Sequence, residues 1–291
     1  MEDTAPEGLA PGLYLVATPI GNRGDITLRA LDALRRASLV ACEDTRETRK
    51  LMGLHGIEGG ERLTAYHEHS GAAAADRLVA RIQGGASVAL VSDAGTPLLS
   101  DPGFALVRAC RAAGVTVTAL PGASAALTAL QLSGLPAERF LFAGFLPPKA
   151  GPRRRALEEL KAVPATLIFY EAPHRLLETL EDLAAVLGAR PAAVARELTK
   201  RFEQVVTGPL DRLAADYAAS GPPKGEIVLL VGPPGAESAA THDLDALLAK
   251  ALAELSLRDA VAAVAGATGL PKRQVYARAL ELMPDADSGE D

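Results

Sequence analysis

The chain has 291 residues, 48% of them hydrophobic and 4% aromatic, with 30 Lys and Arg against 36 Asp and Glu for a formal net charge of -6. That length suffices for more than one buried core and suggests about two domains, and no run approaches the ~18 apolar residues of a membrane span. The acidic balance argues against indiscriminate binding of polyanions but leaves room for a local basic surface.

In chain order, the acidic, proline-containing start MEDTAPEGLAP lacks the basic and apolar blocks of a signal segment, so the cytoplasm is the expected compartment. The apolar run LYLVA (13–17) predicts a strand that breaks into the turn TPIGN, and a helical pattern over 27–37 sets Leu28, Leu31 and Leu34 on one face. Further strands are expected at 39–42, 63–66, 88–92 and 115–120, the fourth run breaking into SDAGTP. Their separation excludes hairpins and predicts a mostly parallel sheet with right-handed crossovers. In such sheets a ligand lies beyond the carboxyl ends of the strands. There Gly21, Gly24 and Gly95 would let main chain approach a flat or polar ligand, and Asp93 is the carboxylate of its turn. The plainer reading is tight connections, with Asp93 capping a helix or turn. After the fifth strand, PGASAALTAL supplies Gly122 for a turn and Ser124 as a helix cap, placing free amides at the sheet edge.

A second α/β set follows, with strands expected at 140–145, 166–170, 192–198, 204–208 and 226–232. The boundary is placed near 122–135, giving domains 12–125 and 126–234. PPKAGPRRR (147–155) reads as a Pro/Gly loop rich in cations, either a solvated linker or a contact surface. Residues 241–283 form a small helical segment. Within it, a turn at Gly269 and Pro271 precedes a helix carrying Lys272, Arg273 and Arg278, which suits a helix-turn-helix or a helical hairpin packed on the body. The tail 284–291 reads as disordered.

Several chemistries lack their apparatus. Neither GxGxxG after the first strand, nor GxxxxGK[ST], nor GxSxG occurs, which argues against nicotinamide, phosphate-loop and serine hydrolase chemistry. Cys42 and Cys110 have neither disulfide nor metal-ligand spacing and are expected in the core. His67 and His69 would share one face of a strand but have no clear third ligand, so no metal is expected.

The ordered series VATPIGNRGDITLRAL, CEDTRETRKL, YHEHS, LVSDAGTPLLSDPG, PGASAALTAL, GFLPPK, FYEAPHRLLETLEDL, RELTKRFE and KGEIVLLV resembles the tetrapyrrole (corrin/porphyrin) methylase superfamily. Within it, the chain is similar over nearly its whole length to the ribosomal small subunit methyltransferase I family, the 16S rRNA cytidine 2′-O-methyltransferases. Ser70 departs from it, since the family often carries Asn after HEH. The resemblance implies two α/β domains of tetrapyrrole methylase type with S-adenosylmethionine in the cleft between them, plus the C-terminal helical segment, and a homodimer. It implies 16S rRNA or the small ribosomal subunit as substrate, at decoding-centre cytidine 1402, with no DNA or membrane partner.

On this resemblance Thr18, Pro19, Gly21, Ser92, Asp93, Ala94, Gly95, Thr96, Pro97, Ser124 and Ala125 face the cofactor from the first domain. Phe169, Tyr170, Glu171, Ala172, Gly225 and Glu226 complete the cleft from the second. A ribose 2′-hydroxyl is a poor nucleophile until its proton leaves, so a base is expected among Glu171, His174 and Lys200. Lys200 would act as a neutral amine if desolvated beside Arg196 or Arg201, or as an ammonium beside the emerging alkoxide. Each of the three could instead be a cap, a surface ion pair or a cofactor contact. Arg23, Arg46, Arg49, Lys149, Arg153, Arg154, Arg155, Lys272 and Arg273 are the expected RNA contacts. The competing functions are a same-fold methyltransferase acting on a tetrapyrrole or protein side chain, and a non-catalytic RNA-binding module.

Overall fold

A computed structural model describes residues 8–268 and 270–282, so the expected tail and the Gly269 turn lie outside the described residues. Strands β1 (Gly12–Val16), β2 (Leu39–Cys42), β3 (Leu63–Ala65), β4 (Ser87–Val91) and β5 (Val117–Leu120) form one sheet in the order β3-β2-β4-β1-β5. Every pairing in it is parallel. β4 lies between β2 and β1 and is buried at each residue, which is why VALV (88–91) reads as an uninterrupted apolar run.

Helices α1 (Leu28–Arg36) and α2 (Thr45–Leu54) cover one face, and α3 (Gly71–Gln83) and α4 (Phe104–Ala112) the other. Thr27 starts α1 by accepting from Ala30 N at 3.1 Å. The buried stripe of α1 is Ala30, Ala33 and Leu34, whereas Leu28, expected on the same face, is 85% exposed. It lies six residues before Leu34, which is about two-thirds of a turn out of phase. Cys42 and Cys110 are buried. His67 and His69 do not share a strand face, because β3 ends at Ala65 and Glu68–Ser70 forms a 3-10 turn.

The second sheet contains β6 (Phe140–Phe145), β7 (Thr166–Glu171), β8 (Pro191–Arg196), β9 (Gln204–Pro209) and β10 (Ile227–Val231) in the order β6-β7-β10-β8-β9. Only β6 and β7 run parallel. One face packs on α6 (Ala150–Leu160), α7 (Leu176–Leu187) and α8 (Leu210–Ser220). The opposite face, with Ile168, Ala193, Val228 and Leu230, buries Ala126, Ala129 and Leu130 of α5 (Ala125–Ser133) together with Ile20 from the first domain.

The expected loop at 147–155 is a helix from Ala150 onward. Pro152 falls in the first turn, where no intrahelical donor is needed. That helix turns Arg153 inward, 2% exposed, and its Nε donates to Asp182 Oδ2 of α7 at 2.6 Å. Arg153 is therefore a structural ion, not a phosphate contact.

Helices α9 (Ala236–Glu254), α10 (Leu257–Thr268) and α11 (Lys272–Leu282) enclose a separate core that includes Leu244, Leu248, Val261, Val264 and Val275. Among the described residues no helix is long and apolar enough to cross a membrane.

Candidate functional site

The two glycine turns leave the carboxyl ends of β1 and β4, and hydrogen bonds tie them together. Thr18 N donates to Gly95 O at 2.9 Å and Gly95 N to Thr18 O at 3.0 Å, while Thr18 Oγ1 donates to Ser92 O at 3.1 Å. Thr96 Oγ1 adds a bond to Ala123 O at 2.9 Å, fixing the turn that leads into α5. Ser124 caps that helix by accepting from Leu127 N. Gly95 has φ +82, a conformation that glycine adopts without a Cβ clash.

Across from these turns stands the second sheet, leaving a cleft of about 410 Å³. Asp93, Ala94, Gly95, Thr96, Ala125, Tyr170, Glu171, Ala172, Gly225 and Glu226 line it, as the sequence suggested. Thr18, Pro19, Gly21, Ser92, Pro97, Ser124 and Phe169 are not part of that lining. Thr18 and Ser92 are buried braces, Pro97 is buried, and Pro19 is half-buried beside them. Phe169 fails for a geometric reason. Alternation along β7 sends Ile168 and Tyr170 toward the interdomain side and Phe169 into the core under α7 and α8.

Gly21 serves interdomain contact and does not line the cleft. A Cβ there would lie 2.4 Å from Lys200 Cγ, and Asn22 N next to it donates to Thr199 Oγ1 at 3.1 Å. Lys200 Nζ donates to Glu197 Oε1 and Glu226 Oε2, both at 2.8 Å. Burial would lower its pKa, but the two carboxylates outweigh that and raise it, so Lys200 is an ammonium. The neutral-amine role is thereby overturned, because its partners are acids and not the cations Arg196 and Arg201.

Glu171 is 3% exposed and turned toward α7. Its Oε2 accepts from Thr179 Oγ1 at 2.5 Å, its Oε1 from Ala172 N at 2.8 Å, and Arg175 Nε lies 3.3 Å away. A carboxylate held this way anchors β7 to α7 and does not face a substrate as a base. His174 is exposed and outside the cleft lining.

Four residues other than glycine have positive φ among the described residues: Leu98, Ser100, Glu197 and Thr199. All lie in the two loops that meet at the cleft. Strain of this kind costs about 1–3 kcal/mol per residue and persists where surrounding structure enforces it, as at functional sites. Here Glu203 Oε2 accepts from Thr199 N at 2.6 Å, and Glu226 O accepts from Glu197 N at 3.0 Å. Gly225 completes the arrangement, since a Cβ on it would lie 2.2 Å from Glu197 Oε1.

Sequence reasoning passed over Asp101. It lines the cleft, and burial, then the nearby charges of Glu43 and Asp93, push its carboxyl up to about 6. Its signal was the second acid of SDAGTPLLSDPG. Phe145 and Tyr170 also face the cleft, their ring centroids 5.6 Å apart.

The expected RNA contacts divide. Arg46 folds back on Asp44 at 2.7 Å, and Arg154 reaches Asp182 at 2.6 Å. Arg23, Arg49, Lys149, Arg155, Lys272 and Arg273 are exposed. Arg278 is held by Asp245 and Glu281.

A parallel sheet and a mixed sheet that meet over a main-chain-lined cleft give the two-domain α/β architecture expected of a methylase of the tetrapyrrole type. The family model described as Tetrapyrrole (Corrin/Porphyrin) Methylases matches residues 12–214, and the RsmI C-terminal HTH domain matches residues 238–283. The crystal structure of uroporphyrin-III C-methyl transferase from Thermus thermophilus complexed with S-adenyl homocysteine aligns over 76% of this chain and 97% of that one. Its TM-score is 0.51 at 21% identity, a likeness of fold. The curated relatives are closer. A "Ribosomal RNA small subunit methyltransferase I" of Mesorhizobium japonicum is 53% identical over 97% of this chain and 96% of its own length. One of Erythrobacter litoralis is 53% identical over 96% and 98%. The chain belongs to the ribosomal RNA small subunit methyltransferase I family.

Proposed function

We propose that the protein transfers a methyl group from S-adenosylmethionine to the ribose 2′-oxygen of a cytidine in 16S rRNA, cytidine 1402 of the decoding centre. The observation that carries this reading is the interdomain cleft, walled by braced main chain on one side and holding a half-buried carboxylate, in a chain of this family. The bound donor supplies a methyl group already activated on a sulfonium. What the protein must do is position, desolvate and balance charge.

The residues present fit a cationic donor. Asp101 sits near two other acids and has no ion-pair partner among the described residues, so a ligand cation would relieve its raised pKa. Gly95 and Ala94 offer main chain for close approach, and Tyr170 with Phe145 offers an aromatic wall. At the rim, Lys200 is fixed as an ammonium between Glu197 and Glu226. Its charge is taken up by those two carboxylates, so its part is to hold Glu226, which lines the cleft, in place at the rim where the ribose enters. Glu226 is 75% exposed at its side chain, so that rim is open to water and the proton can leave without a buried base.

Lys149, Arg155, Lys272 and Arg273 supply cations for the phosphates of the RNA. The protein acts as a homodimer; Leu127 and Leu132 of α5 and Phe140 of the edge strand β6 leave exposed apolar surface for a second copy to cover. The test is transfer of labelled methyl from S-adenosylmethionine to unmethylated small ribosomal subunits, followed by mapping of 2′-O-methyl groups. Label in 16S rRNA at a cytidine ribose supports the reading, and label on a base, on protein or nowhere refutes it.

A further inference from the structure

A second groove, of about 600 Å³, opens on the same rim of the second sheet as the Lys200 loop. Its floor is Arg196 of β8 with Gln204 and Val206 of β9, and its far wall is the end of α8 and residues 221–224. Arg196 is held flat across it, Nε donating to Gln204 Oε1 at 2.7 Å and Nη1 to Lys224 O at 3.2 Å. At the mouth stands Phe202, 64% exposed, with the Arg201 guanidinium 5.4 Å from its ring centroid. The groove adjoins the cleft through Glu197, which lines it while its carboxylate holds Lys200 and lies against Gly225.

Nothing in methyl transfer as derived above uses Phe202, Arg201 or Lys224. An exposed ring beside cations is the apparatus by which proteins hold unpaired nucleotides: bases stack on the ring and phosphates meet the charges. Of the acids nearby, Glu197 and Glu226 share Lys200 at 2.8 Å, Asp216 pairs with Arg212 at 2.9 Å and Glu203 accepts from Thr199 N at 2.6 Å, and against these four stand the five cations Arg196, Lys200, Arg201, Arg212 and Lys224. Lys224 and Arg201 thus present net positive charge at the mouth.

We infer that this groove binds an unpaired nucleotide of the RNA strand adjacent to the one whose ribose enters the cleft, with its base on Phe202 and its phosphate at Arg201 and Lys224. The inference rests on the rRNA methyltransferase reading. Its test measures methyl transfer to unmethylated small ribosomal subunits over a range of subunit concentrations for wild type, Phe202→Ala, Phe202→Tyr and Lys224→Glu. Calorimetric S-adenosylmethionine binding and sedimentation are followed on each protein.

Base stacking on an aromatic is worth ~1–3 kcal/mol, so Phe202→Ala should raise the KM for subunits about tenfold or more, with S-adenosylmethionine affinity and oligomeric state unchanged. Phe202→Tyr should restore it, and Lys224→Glu should raise KM and lower its salt dependence. Wild-type transfer with unaltered KM in Phe202→Ala and Lys224→Glu overturns the groove alone, as does a changed oligomeric state in place of a changed KM. Failure of the wild type to methylate the subunits overturns the functional reading and the groove with it.

Discussion

Replacing Asp101 by Asn should weaken cofactor binding and stabilise the empty protein at once. The carboxyl titrates near 6 in the empty cleft because burial and the acids Glu43 and Asp93 oppose its charge. A cationic ligand pairs with the ionised form and lowers that pKa. Binding is then at full strength above pH 6 and weakens as pH falls through it, by about tenfold, or ~1.4 kcal/mol, at one unit below. For folding the sign is opposite. The folded pKa lies above the ordinary 3.8, so the group favours the fold at low pH and loses that contribution as pH rises from 3.8 to about 6. Holding the carboxyl that far above its ordinary value costs at most ~3 kcal/mol at neutral pH, and about half that after solvent screening at a partly exposed site. Asp101→Asn should therefore raise the Tm of the empty protein by ~2–4 °C while making S-adenosylmethionine affinity weaker and flat between pH 5 and 7. Calorimetric titration across that range, with thermal unfolding of both proteins, provides the comparison. A flat wild-type profile, or an Asn variant that binds as tightly as wild type at pH 7, would refute the reasoning.

Gly21→Ala puts a Cβ 2.4 Å from Lys200 Cγ, so it should lower single-turnover methyl transfer at least ~10-fold. In a Lys200→Ala background the same change should have little added effect; additive losses would show that Gly21 acts elsewhere. Arg153→Ala combined with Arg154→Ala leaves buried Asp182 without either cation and should cost about 3–5 kcal/mol by urea unfolding, and a loss below about 1 kcal/mol would count against the buried pair. Charge reversal at exposed Lys149 and Arg155 should reduce the salt dependence of RNA binding by up to about two counterions, measured as the slope of log affinity on log salt, and an unchanged slope would make that helix a bystander.

The strands were legible because each is a short apolar run broken by Gly, Pro or Asp, and both β2 and β6 begin and end where the pattern does. The main-chain half of the cleft followed from SDAGTP at the end of β4. What the sequence hid depends on partners remote in the chain. The run LIFY is hydrophobic throughout, so nothing in it distinguishes Tyr170, at the cleft, from Phe169, in the core. Arg153 looked like its neighbours until α7 brought Asp182 to it, 29 residues on. Asp101 acquires its character only from burial in the cleft, with Glu43 and Asp93 nearby, and Lys200 only between Glu197 and Glu226.

The position of β10 governs how the chain can be made. It is the last strand of the second sheet in sequence but lies at its centre, between β7 and β8. As the chain leaves the ribosome, β7 can pair with β6 and β8 with β9, but the two pairs stay unjoined, their inner edges open, until Val231 has emerged, and the apolar stripe of α5, Ala126, Ala129 and Leu130, lacks its cover from Val228 and Leu230 before then. The first sheet, by contrast, closes when β5 appears at Leu120. Synthesis thus passes through a stage of more than a hundred residues, from Leu120 to Val231, in which one folded half carries an unfinished one with exposed strand edges. Ribosome-bound chains arrested in that window are where this protein is most exposed to aggregation and most dependent on chaperones.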